Sequence, residues 1–408
     1  MRTDASVTQL GLDIHRKFST VTARDGQGKI VRRQRLEHND RTRMRAQLAD
    51  WPSGSPVVLE ATFGWGWMSD ELTAAGLDPH LASSGKVAAW RKARGMAKSN
   101  RKDADLLSEL WSEHGRWWEV WLAPPQVREQ REYLRYRMTL VRTQTAFKNR
   151  IHAILHRHGI LCEQSDLFGR DGRRFLNLLV VPEDATLPDS ARAMLKGYLE
   201  LLDQVRRQIA AVTRQFRQQI TASPAAMRLK TIPGIAWILS YTILAEIGRI
   251  ERFPDAKRLA SYSLLAPVAN DSGDEDDEPP LGRHVGHFGR RTLKWAFIEA
   301  AHGAVRSGGR FRAMYDRRTN GGKRDRNRGY IAVAHALCRV AYVCWKKQVD
   351  YTAEPPPRAG RRRRGHRRTH RAVVAKATSA KQTSRPELGQ PAPPMAAAAV
   401  VGRLQADK

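Results

Sequence analysis

A chain of 408 residues with 41 % hydrophobic residues is long enough for two or three domains and is not globally disordered. Lys plus Arg number 71 against 41 Asp plus Glu, a formal net charge of +30, and so large an excess calls for polyanionic company, most commonly nucleic acid. Cys162, Cys338 and Cys344 make no CxxC pair, and no apolar run reaches 18 residues, so a zinc ribbon, a disulfide scaffold and a membrane partner are not expected.

Residues 8–15, 18–24 and 29–36 are short apolar or β-branched runs, parted by a tight link and by Gly26-Gln27-Gly28, and predict a three-strand meander. Asn39-Asp40 offers an N-cap for a helix through Trp51. PVVLEAT at 56–62 reads as a buried strand, followed by a helix over 66–75 and a short strand near 79–82. This βββαβα order, with an Asp in the first strand, predicts an α/β domain of the RNase H-like class. Asp13 and Glu60 sit in apolar strand settings, where a charge is expensive unless it is paired or binds metal. In such a sheet the first and fourth strands are neighbours, so the two acids would meet. A later helix, KSNRKDADLLSEL, offers Asp103 and Asp105 as a third acid. Clustered carboxylates suit Mg²⁺; ordinary ion pairs with Arg or Lys are the alternative for each acid.

Residues 126–157 lack Pro and Gly and repeat apolar positions at three and four, apart from Thr145 and Lys148; residues 190–221 are similar apart from Gly197. A coiled-coil-like arm is the simplest reading, with two helices in a globular body as the alternative. Residues 227–351 form a mainly helical unit. TIPGI at 231–235 resembles the turn of a helix-hairpin-helix, where Pro233-Gly234 would present backbone N–H groups to a DNA phosphate; an ordinary helix–helix turn reads equally well. Ser272 precedes Gly273 in a polar loop, as an exposed nucleophile would. The acidic run from Asp274 to Glu278 stands beside it. Arg283, His284, His287, Arg290, Arg291 and Lys294 make either a phosphate clamp or a solvated basic face. Trp65, Trp67, Trp117, Trp118 and Trp121 read as packing residues rather than base-stacking platforms. Residues 352–408 hold 13 Lys or Arg against 3 acids with no apolar pattern, and predict a disordered basic tail.

GLDIHRK, VVLEATFGWGW, KSNRKDADLL and TIPGIAWILSYTILAEIGRIERF, together with the SG step and GHFGRRTLKWAFIEAA, resemble in this order the DEDD transposases of bacterial insertion sequences, the IS110 family. The resemblance covers residues 8 to 351. It implies a RuvC-like nuclease domain (1–125), a helical arm (126–226) and a C-terminal transposase domain (227–351), followed by the tail (352–408). It further implies that Asp13, Glu60 and Asp103 are three of four metal-holding acids and that Ser272 is a nucleophile forming a phosphoserine–DNA link. In the helix motif Asn100 stands where the family has its other Asp, leaving Asn100 or Asp105 as the fourth position. The implied partners are donor and target DNA, a structured guide RNA (a bridge RNA) and further copies of the chain in a homo-oligomer, in a nucleoid-associated, cytoplasmic setting. Two rivals remain open: a RuvC-type junction nuclease that hydrolyses DNA with Ser272 idle, and a non-catalytic basic nucleic-acid-binding protein.

Overall fold

A computed structural model describes residues 7–95, 100–181, 186–268, 284–285 and 289–352, all within one compact unit, Met1–Ala353. Three antiparallel strands open it, β1 (Val7–Ile14), β2 (Phe18–Asp25) and β3 (Ile30–Glu37), followed by helix α1 (Arg41–Ala49). The Asp40 side chain caps α1 by accepting from the Arg43 backbone N–H at 2.9 Å. The chain then runs through β4 (Pro56–Glu60), α2 (Trp65–Ala74), β5 (Asp78–Ala82), α3 (Ser84–Ala93), α4 (Asn100–Leu110) and β6 (Glu119–Val120). Among the described residues the sheet order is β3-β2-β1-β4-β5-β6, with β4 parallel to both β1 and β5. This mixed α/β sheet has the expected βββαβα beginning.

Residue parity decides which side chains share a face. Leu10, Leu12, Val57 and Leu59 pack with Met44, Leu48, Met68 and Leu72 of α1 and α2. Val58 and Ala82 point the other way, onto Val87 of α3 and onto Leu106, Leu107 and Leu110 of α4. Both faces of the central strands are thus covered, which explains why they read as continuous apolar runs.

Two 33-residue helices follow, α5 (Pro125–Arg157) and α7 (Asp189–Thr221), with the short α6 (Arg170–Leu178) between them. Arg137 bonds Thr213, and Phe147 meets the Tyr198 ring, so the long helices run antiparallel. At one end α6 closes a core with Ile151, Leu155, Leu195 and Leu199. At the other, Leu134, Val212, Phe216 and Ile220 pack on Tyr241 and Ala245. The pair is therefore built into larger cores at both ends rather than standing as a coiled coil throughout.

The remaining helices are α8 (Pro224–Lys230), α9 (Trp237–Ile247), α10 (Ala256–Tyr262), α11 (Arg291–Arg306), α12 (Gly309–Thr319) and α13 (Arg326–Lys347), with a two-residue pair β7 (Pro267–Val268) and β8 (His284–Val285). Their common core is the largest in the chain, running from Leu229 through Phe297, Ala300 and Ala304 to Leu337 and Ala341.

Candidate functional site

The acids at the strand ends are placed by register. Leu12 of β1 stands opposite Leu59 of the parallel β4, so Asp13 and Glu60 follow as the next neighbours, on strands about 4.8 Å apart. Both lie at the C-terminal ends of parallel strands, where open α/β sheets bind ligands. Asp13 shares its face with Gly11, and Gly11 lies beneath α4. A Cβ at Gly11 would fall 2.1 Å from the Ser108 backbone N and 2.4 Å from the Ala104 carbonyl O. Only a glycine lets the helix come this close, and the approach brings Asp103, in the first turn of α4, over the face carrying Asp13 and Glu60.

The acids already have partners. Asp13 Oδ2 lies 3.0 Å from His15 Nε2, and buried Asp103 takes the Arg91 guanidinium of α3 at 2.7 Å. Asp105, two positions along the helix, is turned to the sheet: Thr22 donates to it at 2.8 Å and Arg33 grips both its oxygens at 2.9 Å. Burial works to raise the Asp105 pKa, but the Arg33 and Thr22 hydrogen bonds and the Arg33 and Arg24 charges outweigh it and hold the carboxyl below its ordinary range. Asp105 is accordingly a structural ion-pair member. The Asn100 side chain lies outside the described residues.

Among the described residues no three His, Cys, Asp or Glu side chains converge on a point that could hold a metal. A divalent cation of the Mg²⁺ kind still fits the donor set, since one or two carboxylates plus substrate phosphates are its common ligands. Asp13 and Glu60 supply two hard oxygen donors in register. Asp103 would join them only on leaving Arg91.

The first turns of α2, just beyond the loop after Glu60, are braced from α5. The Arg128 guanidinium donates to the Gly66 carbonyl at 2.7 Å, to Ser69 Oγ at 2.9 Å and to Asp70. Sequence reasoning did not single out Arg128, since one arginine among many in a basic helix carries no local signal.

In the C-terminal half, helices α8 and α9 flank the TIPGI turn. Gly234, at φ +84°, packs on α11: a Cβ there would fall 2.0 Å from the Ala300 carbonyl O. Gly303 meets it across the crossing, its own Cβ position 2.8 Å from Gly234 Cα. Close helix packing thus accounts for Pro233-Gly234 at least as directly as a phosphate contact.

Arg290 precedes α11 and is half-buried. Its Nε donates to the Tyr262 hydroxyl at 3.0 Å and lies 3.6 Å from the buried Glu246 carboxylate. Arg131 of α5, also buried, donates to the Ala245 and Glu246 carbonyls, 2.9 and 2.7 Å away. Burial, and next the Arg290 charge, lowers Arg131 to about 10. Burial pushes the Tyr262 pKa up, but the charges of Arg290, Arg252 and Arg131 and the Arg290 hydrogen bond bring it below its ordinary value. Arg290 is thus tied into a buried network, while Arg291 is exposed and Lys294 half-exposed at the start of α11. An Arg in the apolar stripe of α5 was the one available signal of this network. Ser272, Arg283, His287, the run from Asp274 to Glu278 and the tail lie outside the described residues, as do the side chains of His284 and Asn100. Trp118 is fully buried and Trp121 lies under Arg252, in keeping with packing roles.

Residues 10–160 match the family model described as a DEDD transposase of the IS110 type, and residues 226–316 the model described as "Transposase IS116/IS110/IS902 family". The chain is 25 % identical over 301 residues to the "Transposase for insertion sequence element IS1111A" of Coxiella burnetii, covering 73 % of this chain and 78 % of that one. It is 22 % identical over 305 residues to the "Transposase for insertion sequence element IS1328" of Yersinia enterocolitica, covering 72 % and 83 %. Over a shorter stretch, 44 % of this chain and 42 % of the other, it is 31 % identical to an uncharacterised 43.6 kDa protein of insertion element IS110 in Streptomyces coelicolor.

Proposed function

The chain belongs to the IS116/IS110/IS902 family of transposases, DNA-binding enzymes whose DEDD type uses divalent metal, and from that premise we propose that it cuts and rejoins insertion-sequence and target DNA through Mg²⁺ held at Asp13, Glu60 and Asp103 and through Ser272. The observation that carries the reading is the in-register placement of Asp13 and Glu60 at adjacent strand ends, on the face that α4 crosses with Asp103. When bound there, the cation would neutralise charge on the phosphodiester under attack. The chain's own residues do the rest. Asp13 and Glu60 would hold the cation, and basic residues the phosphates. Ser272 Oγ forms a bond to phosphorus as a phosphate–deoxyribose bond breaks, and the phosphoserine link keeps an ester bond for rejoining. A structured guide RNA selecting both DNAs by base pairing, and a homo-oligomer joining the acids of one copy to the serine of another, complete the proposal. The basic excess, Arg291 and Lys294 included, supports the nucleic-acid contacts.

The test is a strand-exchange assay on the element's own ends. Asp13→Asn and Glu60→Gln should each stop cleavage while leaving DNA binding nearly intact. Ser272→Ala should abolish both joining and the covalent protein–DNA adduct. Undiminished recombination by Ser272→Ala would overturn the serine step and favour hydrolysis by water.

A further inference from the structure

Immediately after Glu60 the chain turns sharply, with Thr62 N–H donating to the Glu60 carbonyl at 2.8 Å. Phe63 stands at the tip of this turn, 87 % exposed, more than any other large apolar side chain described. The aromatic residues that follow in α2 are engaged: Trp67 lies under the Arg41 guanidinium and against the His38 ring, and Trp65 packs below Arg128. The tip is not a loose end. Gly64 takes a left-handed φ of +86°, and a Cβ on it would lie 3.5 Å from Ile14 Cγ2, so the turn packs back on the end of β1, against a side chain that faces α1 and α2. Arg128 holds the first turn of α2, directly after the loop, through the Gly66 carbonyl. At the same sheet end the β1–β2 link presents exposed Arg16 and Lys17. An exposed aromatic ring at the same sheet end as exposed cations is the arrangement with which proteins hold unpaired nucleic acid, the ring stacking on a base and the cations meeting the phosphates.

We propose that Phe63 stacks on an unpaired DNA base beside the scissile phosphate, holding the strand splayed over the Asp13–Glu60 edge while Arg16 and Lys17 take the adjoining phosphates. This rests on the reading that these acids face the DNA. Base–aromatic stacking of this kind changes affinity by roughly 5- to 150-fold.

The full-length protein is incubated with the element's end as a duplex splayed at the crossover, carrying 5-iododeoxyuridine at successive positions, and irradiated. One or two adjacent positions should yield an adduct that peptide mass analysis assigns to Phe63. Phe63→Ala should weaken binding of the splayed DNA at least fivefold and leave fully paired DNA within twofold; Phe63→Trp should restore it. Thermal unfolding of Phe63→Ala should match the parent, since so exposed a ring supports no core. No adduct at any position together with unchanged splayed-DNA binding overturns the proposal. So does an adduct formed only with iodouridine in RNA, or a Phe63→Ala effect confined to subunit association. The Asp13→Asn protein, run in parallel, separates the two readings. An adduct at Phe63 with Asp13→Asn still active would leave the stacking standing and dismiss the metal site, and an inactive Asp13→Asn with no adduct would do the reverse.

Discussion

Asp103 and Asp105 are two residues apart and have opposite fates. Arg91 of α3 holds Asp103, in the first turn of α4, whereas Arg33 and Thr22 tie Asp105 to β2 and β3. A helix turns about 200° in two residues, so both cannot serve one site. Asp105→Asn should therefore cost about 1 kcal/mol of stability, a modest sum because Arg33 is partly solvated, and leave the metal concentration for half-maximal cleavage unmoved. The cost should also depend on pH. A carboxyl held below its unfolded pKa stabilises above that value and ceases to as pH falls through the folded one, so parent and variant should converge in melting temperature below about pH 4. Loss of cleavage with stability unchanged would show that Asp105 had replaced the family's missing acid. Asn100→Asp is the companion: added charge at that position should lower the Mg²⁺ requirement, and an unmoved titration would show that position 100 does not reach the metal.

At the scale of elements, glycine has a role that the sequence pattern conceals. Gly234 lies in a PGI turn whose apparent meaning is a backbone offered to phosphate, yet its Cα abuts α11 at Ala300 and Gly303. Gly234→Ala would force a side chain against backbone as well as into a left-handed conformation. It should destabilise the chain by about 3 kcal/mol or more, read as a lowered denaturation midpoint, while Pro233→Ala costs far less. Equal, small effects of both would mean that α8, α9 and α11 separate easily. The strands β1 to β5 and both long helices were legible, because alternation and three-to-four spacing are local properties. So were Asp13 and Glu60, isolated charges in apolar strands. What local patterns do not carry is contact between distant segments. Gly11 under α4, Tyr241 stacked on Phe216 at 3.7 Å and Arg290 against Glu246 join residues tens of positions apart. The two-residue β6, added antiparallel at the sheet edge, is too short to leave a pattern of its own.

For the molecule as a whole, charge and burial act separately. The segment 352–408 contributes +10 of the +30 formal charge, and its sequence has no apolar pattern from which a core could form. Its removal should leave the melting temperature unchanged and flatten the salt dependence of DNA binding by about 0.9 in log–log slope for every phosphate it had neutralised. An unaltered slope would show that these basic residues do not meet the phosphates. Within the core, burial pushes the Cys338 thiol up to about 12, so thiol reagents at neutral pH should label it only at the rate of global unfolding. Rapid labelling would reveal local opening of the α10–α11–α13 core.

The bonds from Arg128 to the start of α2 have a mechanical meaning as well. As a continuous helix of 33 residues, α5 is a rod about 50 Å long, and Arg128 sits within its first turn. A rod pinned at its root cannot swing freely. The bonds to Gly66, Ser69 and Asp70 couple this root to α2, so a displacement of α5 near Arg128 would carry the first turn of α2, and with it the rim of the acidic site.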